Sequence, residues 1–474
     1  MKTLGLALLL TIAACMAPPP RPPLPPSPSP PAPAPRPTPT PSPAPEPHSG
    51  PAGKVTSDAP LSFIENDYAR ALADARARHV PLFVDAWAPW CHTCLSLKSY
   101  VFPDPALRRF GSRFAWLSID TEREENAALV SRLGVRVLPM LFVIDPATEQ
   151  PVVAWPGSLT ATELASLLED GETAARRGGG GGQATADLLR GHRASAEGKL
   201  EDAIAAYRAA LAEAPADWPK RAEAVDALVT RLGDEGRSAA CVTTAADEAP
   251  KMPPGTALAD VLREAMSCAD DLPKTAPERA RLPDLVALGE RVASDPSQPI
   301  LADDRSDLYD YVQSALRDLG KVDEANRVAR AWAAFLDEQA SRAPTPAARA
   351  VFDSHRLLAY AALGEPQKAV PMLEQSERDF PDDYNPPARL ATAYLDMKRY
   401  DDALAAVRRA LSLAYGPRKL RLWSLQADID EARGNETAAR EALRHALDFA
   451  KTVPLTGGYP RLRDALAKRL ARLR

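Results

Sequence analysis

The sequence predicts an α/β domain followed by an all-α solenoid of paired helices. Between residues 58 and 172, short apolar runs typical of buried strands alternate with helical patterns. From residue 184 to residue 474 the chain is rich in Ala and Leu, with Arg and Glu at helical spacing on exposed faces. A glycine run within RRGGGGGQ (residues 176–183) separates the two regions, so we predict a linker over residues 173–183.

Composition limits the classes of function. The chain has 474 residues, a formal net charge of -5 and 45% hydrophobic residues. This length predicts more than one domain, and the apolar content is enough to form cores. Binding to nucleic acid needs a concentrated basic face, and the acidic balance gives no reason to expect one.

The N-terminus has the features of an export signal. Lys2 precedes an apolar run that ends at Ala14, shorter than the roughly 20 residues of a membrane span. The segment IAAC, ending at Cys15, resembles the lipobox of bacterial lipoproteins, whose cysteine is lipid-modified and becomes the first mature residue. The resemblance implies a signal peptide over residues 1–14, a membrane anchor through lipid on Cys15 and an extracytoplasmic location. An ordinary secretory signal cut elsewhere is the alternative.

A tether is expected after the anchor, over residues 15–57. Met16 stands where an inner-membrane retention signal usually has Asp, which favours the periplasmic face of the outer membrane. Residues 18–47 are about half proline, and proline fixes φ and lacks an N–H, so this run is expected to be extended. At ~3.1 Å per residue it reaches roughly 90 Å. A proline-rich ligand for a recognition domain is the alternative.

Two of the five cysteines stand together in DAWAPWCHTC, residues 85–94. An apolar run typical of a buried strand precedes them and a helical stretch follows. Cys91 is therefore expected at a helix N-terminus, where the macrodipole favours thiolate over thiol. Cys94 lies about one turn further on the same face. We predict a redox pair in which Cys91 is the nucleophile and Cys94 resolves the mixed disulfide.

Other uses of this pair are less well supported. Zinc needs four ligands, commonly two such pairs, and the chain has no second CxxC and only His79 and His92 nearby. Haem attachment needs a histidine after the second cysteine, where this chain has Leu95. We therefore predict no metal and no cofactor, and a static structural disulfide is the remaining alternative.

The order of elements and several separated motifs resemble the thioredoxin fold. Residues 58–172 predict the order α-β-α-β-α-β-β-α, with a first helix over Leu61–His79 capped by Ser62. WAPWCHTC lies at the first strand–helix junction, and VRVLP precedes the third strand. VFPDPAL and IDTERE resemble most closely the C-terminal thioredoxin-like domain of bacterial thiol:disulfide interchange proteins. This resemblance implies exchange with protein substrates that carry disulfides or thiols, and a redox partner protein.

The resemblance also implies roles for residues around the pair. Asp85 matches a buried carboxylate that exchanges a proton with the resolving cysteine. Pro139 matches the cis-proline that faces the dithiol, and the backbone at Leu138 is expected to pair with extended substrate. Trp87 and Trp90 match tryptophans that flank the site and contact substrate. A solvated Asp85, an ordinary trans Pro139 and a mainly structural Trp87 are the alternatives.

Three departures from thioredoxin bear on the redox potential. His92 and Thr93 replace Gly-Pro between the cysteines, and a protonated His92 would stabilise the thiolate and make the pair less reducing. We therefore assign both as redox-tuning residues. Leu95 stands where Lys or Arg is frequent. Trp116 stands where thioredoxin has a buried lysine, so an Asp85 relay is expected to work without it.

The second region, residues 184–474, contains an internal repeat. Between residues 190 and 215, small residues stand where two helices would cross, Tyr207 lies in the second helix and Pro215 ends it. These offsets resemble the 34-residue tetratricopeptide (TPR) pattern, which returns from Tyr360 and again from Tyr394. Such arrays commonly hold partner proteins, so we predict a protein ligand in the groove. A rigid spacer or a self-association surface is the alternative.

The remaining cysteines fall in this second region. Cys241 lies early in one predicted helix and Cys268 late in the next, and these ends meet in an antiparallel pair. An oxidising compartment permits a disulfide, which we predict here, with two buried free thiols as the alternative.

The leading hypothesis is a lipid-anchored, extracytoplasmic thiol:disulfide oxidoreductase of the protein-disulfide reductase or exchange type, whose TPR repeats bind a partner. The alternative is a TPR-based binding or assembly scaffold with an incidental or redox-sensing thioredoxin-like domain.

Overall fold

The structure, a computed structural model, describes residues 60–177, 182–215 and 217–473. The predicted signal peptide, the lipidation of Cys15 and the proline-rich tether lie outside these residues, as does part of the predicted linker. In the part of the chain that is described, no helix is long and apolar enough to cross a membrane. The described residues belong to one compact unit.

The first region is built on a five-stranded mixed sheet. Its strands are β1 Phe63–Glu65, β2 Leu82–Trp87, β3 Ala115–Asp120, β4 Met140–Asp145 and β5 Gln150–Pro156. Its α-helices are α1 Tyr68–Arg78, α2 His92–Ser96, α3 Ala127–Arg132 and α4 Ala161–Arg177. The order is β1-β3-β2-β4-β5, in which β1, β3 and β2 are parallel and β4 is antiparallel to both β2 and β5. The strand that leads into the cysteine pair is therefore the central one.

The prediction of a helix from Leu61 is wrong at its N-terminal end. Phe63–Glu65 instead forms the edge strand β1, because its residues pair in register with β3 and the Phe63 ring packs on the buried Trp116. Helix α1 begins only at Tyr68, where the Asp67 side chain accepts a hydrogen bond from the N–H of Arg70.

Helix α4 begins with a reciprocal cap. Thr160 Oγ1 accepts the N–H of Glu163, and the Glu163 carboxylate accepts the N–H of Thr160 at 2.7 Å. The helix continues to Arg177, five residues into the segment assigned to the linker, and the next helix begins at Gln183.

The second region is helical, and we call it the array. Its helices are α5 Gln183–Ala196, α6 Leu200–Glu213, α7 Arg221–Asp234, α8 Ser238–Glu248, α9 Thr256–Asp271, α10 Leu282–Ser294, α11 Ala302–Asp318, α12 Val322–Arg342, α13 Pro346–Ala350, α14 Asp353–Ala362, α15 Ala369–Asp379, α16 Asn385–Asp396, α17 Tyr400–Leu413, α18 Arg418–Ala432, α19 Glu436–Phe449 and α20 Tyr459–Arg472. Small residues allow helices to approach closely: a Cβ on Gly191 of α5 would lie 2.3 Å from the Tyr207 ring of α6. The helical-pair pattern in the sequence thus has a direct packing cause.

A disulfide joins two helices of the array. Cys241 of α8 and Cys268 of α9 are both buried, with an S–S distance of 2.10 Å and a Cα–Cα separation of 6.3 Å. The pair therefore fastens one helix to its neighbour, away from the Cys91–Cys94 pair.

The array packs against the α/β region along much of its length. Thr256 of α9 donates a hydrogen bond to Glu163 at 2.9 Å. Ser158 donates to Asp304 of α11 at 2.6 Å, and Tyr100 donates to the carbonyl of Ala348 at 2.9 Å. The two predicted domains are thus held together as one body by contacts made beyond the glycine-rich segment.

Candidate functional site

The cysteine pair lies where β2 passes into α2. Cys91 is the N-cap of α2 and forms a disulfide with Cys94, with an S–S distance of 2.05 Å. The backbone N–H of Cys94 donates to Cys91 Sγ at 3.1 Å. In the reduced pair, this N–H and the helix N-terminus favour a thiolate on Cys91, which is the nucleophilic form.

Apolar side chains surround the sulfur atoms. Cys91 is 4% exposed and Cys94 is 1% exposed. Trp87, Trp90 and Leu138 pack against them, and the Leu138–Pro139 peptide bond is cis. The structure therefore brings the two tryptophans and the proline-containing loop to the pair.

Asp85 lies in the buried middle of β2. Its Oδ2 atom accepts a hydrogen bond from Ser118 at 3.2 Å and forms an ion pair with Lys98 Nζ, also at 3.2 Å. Its Oδ1 atom is buried without a hydrogen-bond partner among the described residues. Burial raises the pKa of Asp85, and the positive charge of Lys98 only partly opposes that rise. The carboxylate is therefore a better proton acceptor than an exposed aspartate.

Lys98 is the functional residue that sequence reasoning missed. The absence of a lysine at position 116 led to the expectation of an Asp85 relay with no cation. The structure supplies the cation from the helical segment after the cysteines, where Lys98 Nζ also donates to Ser118 Oγ at 2.7 Å and lies 4.2 Å from the Trp87 ring. Its position four residues after Cys94, one helical turn away, was the available signal. Trp116 instead packs among aromatic rings and donates to the Gly111 carbonyl.

The array covers the loop that precedes Cys91. Asn385, the first residue of α16, donates to the carbonyl of Pro89 at 3.1 Å. The Arg418 guanidinium of α18 lies 5.1 Å from the Trp90 ring. Trp90 Nε1 and Tyr459 OH both donate to Glu122 Oε1, at 2.8 and 2.7 Å. Trp90, expected to contact substrate, is therefore covered by Arg418 of α18 and shares the acceptor Glu122 with Tyr459 of α20.

A second contact fixes the array to the loop after β3. Gly416 has φ 55°, and a Cβ at this position would lie 1.9 Å from the carbonyl oxygen of Glu122. The neighbouring Tyr415 hydroxyl donates to the Asp120 carboxylate. Only glycine allows the backbone to approach this closely in this conformation.

His92, between the two cysteines, faces the array. Its Nδ1 lies 3.0 Å from Oδ1 of the fully buried Asp303, and its ring is 30% exposed. Thr93 Oγ1 lies 3.2 Å from the same nitrogen. Burial alone would lower the pKa of His92, but the carboxylates of Asp303 and Asp307 raise it to about 9. In return, the two neighbouring histidines outweigh the effect of burial and hold the pKa of Asp303 well below its usual range.

Comparison with known proteins identifies both regions. Residues 63–146 match the family model described as thioredoxin-like, and residues 360–429 match that of the tetratricopeptide repeat. Residues 63–146 form a thioredoxin-like domain. The fold class expected from the sequence, a thioredoxin-like α/β domain followed by TPR-type helices, is confirmed.

Two relatives illustrate the likeness of the thioredoxin-like domain. Thioredoxin from Synechocystis is 29% identical over 96 residues, which cover 20% of this chain and 84% of the relative. Thiol:disulfide interchange protein DsbD from Yersinia enterocolitica is 30% identical over 103 residues, which cover 21% of this chain and 18% of that protein. These likenesses support a thiol–disulfide redox function for the cysteine pair.

Among solved structures, a tetratricopeptide repeat protein from Parabacteroides merdae covers 62% of this chain and 99% of its own, with 12% identity and a TM-score of 0.40.

The backbone at Leu138, expected to pair with substrate, borders a cavity of about 130 Å³. The thioredoxin-like domain lines one wall with Leu138 and Trp155, and the array lines the other with Tyr207, Asp260 and Arg263. A substrate strand would enter this space only if the array moved.

Replacing Asp85 with asparagine should slow release of substrate from the mixed disulfide severalfold, because Cys94 loses its proton acceptor.

The same replacement of Asp85 should also raise the melting temperature at pH 8. A carboxyl whose pKa is raised by burial stabilises the fold below its unfolded pKa, and that contribution is lost as pH rises through the folded value. The difference in melting temperature should therefore vanish below about pH 4. Thermal unfolding across pH measures it, with Asp382→Asn, the same change at an exposed carboxyl, as control; equal melting temperatures of Asp85→Asn and the parent at pH 8 would contradict a buried, costly charge.

Proposed function

We propose that this chain is an extracytoplasmic, lipid-anchored thiol:disulfide oxidoreductase that reduces or exchanges disulfides in protein substrates. The observation that carries the proposal is the Cys91–Cys94 disulfide at the start of α2, with the cis Leu138–Pro139 bond beside it. Asp85, which lies in β2 and forms an ion pair with Lys98, supplies the proton acceptor.

The chemistry conserves atoms and electrons. The Cys91 thiolate attacks one sulfur of a substrate disulfide, so a mixed disulfide forms and the other substrate sulfur leaves as a thiolate. Cys94 gives its proton to the Asp85 carboxylate, and its sulfur attacks Cys91 to form the Cys91–Cys94 disulfide. The substrate leaves with both sulfurs reduced. A redox partner protein then supplies two electrons to the Cys91–Cys94 disulfide, and Asp85 returns its proton to Cys94, which restores the Cys91 thiolate and the Cys94 thiol.

The proposed location is supported mainly by sequence features. The apolar run before Cys15 and its lipobox-like context support export and a lipid anchor, and Met16 supports the outer membrane, periplasmic face. The proline-rich run supports a long tether. An oxidising compartment also accords with the Cys241–Cys268 disulfide.

One observation favours the second candidate, a TPR scaffold with a redox-sensing thioredoxin-like domain. Cys91 is only 4% exposed, and array helices α16 and α18 contact the two residues that precede it, Pro89 and Trp90. A scaffold of this kind would bind its partner through the array whether or not the cysteines were present.

A trapping experiment separates the two candidates. The Cys94→Ala chain keeps the nucleophile but has no resolving thiol, so it should accumulate mixed disulfides through Cys91 with periplasmic proteins. These adducts should disappear on reduction and be absent in Cys91→Ala. Partners captured equally by a Cys91→Ala/Cys94→Ala chain would favour the scaffold, and a Cys94→Ala chain that forms no adducts would contradict the oxidoreductase.

A further inference from the structure

Three side chains from distant parts of the chain converge beside the cysteine pair. His92 Nδ1 lies 3.0 Å from Asp303 Oδ1, and His355 Nε2 lies 2.8 Å from the same oxygen. The two histidine nitrogens lie 3.0 Å from each other. Asp303 is 0% exposed and His355 is 1% exposed. His92 comes from the active-site dipeptide, Asp303 from α11 and His355 from α14.

His92 Nδ1, Asp303 Oδ1 and His355 Nε2 form a triangle, and hydrogen bonds alone do not satisfy all three atoms. If each imidazole donates an N–H to Asp303, two protonated nitrogens face each other at 3.0 Å. If one nitrogen gives up its proton to accept from the other, the carboxylate loses a charge-assisted hydrogen bond in a buried place. A single ion at the centre of the three atoms satisfies all of them together.

The donor set and spacing suit zinc. Zinc binds histidine nitrogen and carboxylate oxygen at about 2.0–2.2 Å, so ligand atoms around a tetrahedral ion lie roughly 3.3 Å apart. The observed separations of 2.8–3.0 Å need to open by only a few tenths of an ångström. Two histidines and one carboxylate also leave a fourth position for water.

We propose that His92, Asp303 and His355 form a binding site for a divalent transition-metal ion, with Zn²⁺ the ion that fits best. The residues that surround these ligands support it. Asp307 Oδ1 lies 3.8 Å from His355 Nδ1, beyond hydrogen-bond distance but on the side of the ring where a carboxylate orients a metal-bound histidine. Thr93 Oγ1 borders the triangle at 3.2 Å from His92 Nδ1.

The sequence did not reveal this site because its ligands are far apart along the chain. His355 lies 263 residues from His92 and Asp303 lies 211 residues from it, so no local ligand spacing exists. Only the docking of α11 and α14 on the thioredoxin-like domain brings them together. A bound ion would fasten the array to the dipeptide between the cysteines, and its charge would favour a thiolate on the adjacent Cys91.

The test is zinc binding, which does not depend on redox activity. The chelator-treated full chain is kept free of reductant, so that the Cys91–Cys94 and Cys241–Cys268 disulfides offer no thiolates. Equilibrium dialysis against Zn²⁺ should show one site per chain that weakens at least ~100-fold in His92→Gln and in His355→Gln. His445→Gln, which changes an exposed histidine of α19, is the matched control and should bind as the parent does.

The His92→Gln variant keeps the test decisive, because this partly exposed side chain can be replaced without emptying the buried position of His355. Substitution with Co²⁺ gives a second measurement: visible bands of nitrogen and oxygen ligands, without thiolate charge transfer, are expected in the parent and not in His92→Gln. A parent chain that binds no zinc, or equal binding in the parent and in His92→Gln, would overturn the site.

Discussion

Replacing Cys91 with alanine should lower the rate of disulfide exchange by at least ~10³-fold, because the attacking atom is lost. Among the cysteines of residues 60–473 that the structure describes, Cys91 alone lies at the start of α2 and accepts the N–H of Cys94 at its sulfur. Cys94 is 1% exposed and cannot take over attack on a protein disulfide. Insulin reduction in the presence of a small dithiol measures the rate.

The control for this prediction is Ser99→Ala, a change of similar size in the same helical segment, which should retain the parental rate. Thermal unfolding establishes that both variants are folded. Insulin reduction by Cys91→Ala at more than a tenth of the parental rate would show that another thiol, or the small dithiol alone, carries the reaction, and the assignment of the nucleophile would fail.

The chemistry of the site could be predicted because its signals are local. A buried strand, two cysteines one helical turn apart and a proline before the next strand are each short patterns. The carboxylate at Asp85 was expected from the resemblance to the thioredoxin fold, which has a buried carboxylate at the matching place in the strand before the cysteines. The cation that pairs with Asp85 could not be predicted. Thioredoxin carries its lysine at the position of Trp116 in β3, whereas this chain supplies Lys98 from the helical segment after the cysteines. Only the packing shows that a lysine at either position reaches the same carboxylate.

The position of the array could not be predicted, because it depends on contacts between residues hundreds of positions apart. Asn385 reaches Pro89, and Tyr459 reaches Glu122, across 296 and 337 residues. A repeat pattern reports how each helix packs on its neighbour, and says nothing of what lies against the other face. The glycine-rich segment indicated separate domains, yet the two regions share buried contacts. For the same reason the triangle of His92, Asp303 and His355 has no signature in the sequence.

Burial of Cys91 beneath the array has a kinetic consequence. A protein disulfide must approach the sulfur along the S–S axis, and the 4% of Cys91 that remains exposed does not admit one. Exchange with proteins therefore requires the array to open locally, and its rate is the intrinsic rate multiplied by the open fraction. Contacts that keep the array closed over Cys91 should slow the reaction of Cys91 with bulky reagents far more than its reaction with small ones.

Replacing Gly416 with alanine should raise the rate at which a bulky maleimide alkylates the reduced Cys91. The new methyl group would lie 1.9 Å from the Glu122 carbonyl oxygen, and both partners are backbone, so the array must shift away from the loop. Overpacking of this kind costs about 1–3 kcal/mol, which corresponds to an increase of about 5-fold to 150-fold in the open fraction. Peptide mapping of the alkylated Cys91, in a Cys94→Ala background, measures the rate.

Gly434→Ala is the matched control. Gly434 also has a positive φ, 81°, but a Cβ there meets nothing within 4 Å, so the variant carries the same backbone strain without the clash. Gly434→Ala should leave the alkylation rate unchanged. With iodoacetamide, a small reagent, the ratio of the Gly416→Ala rate to the parental rate should be much smaller than with the maleimide. Equal maleimide rates for Gly416→Ala and Gly434→Ala would mean that the contact between Gly416 and Glu122 does not control access to Cys91. The array would then have to open at another place, such as the cavity beside Leu138.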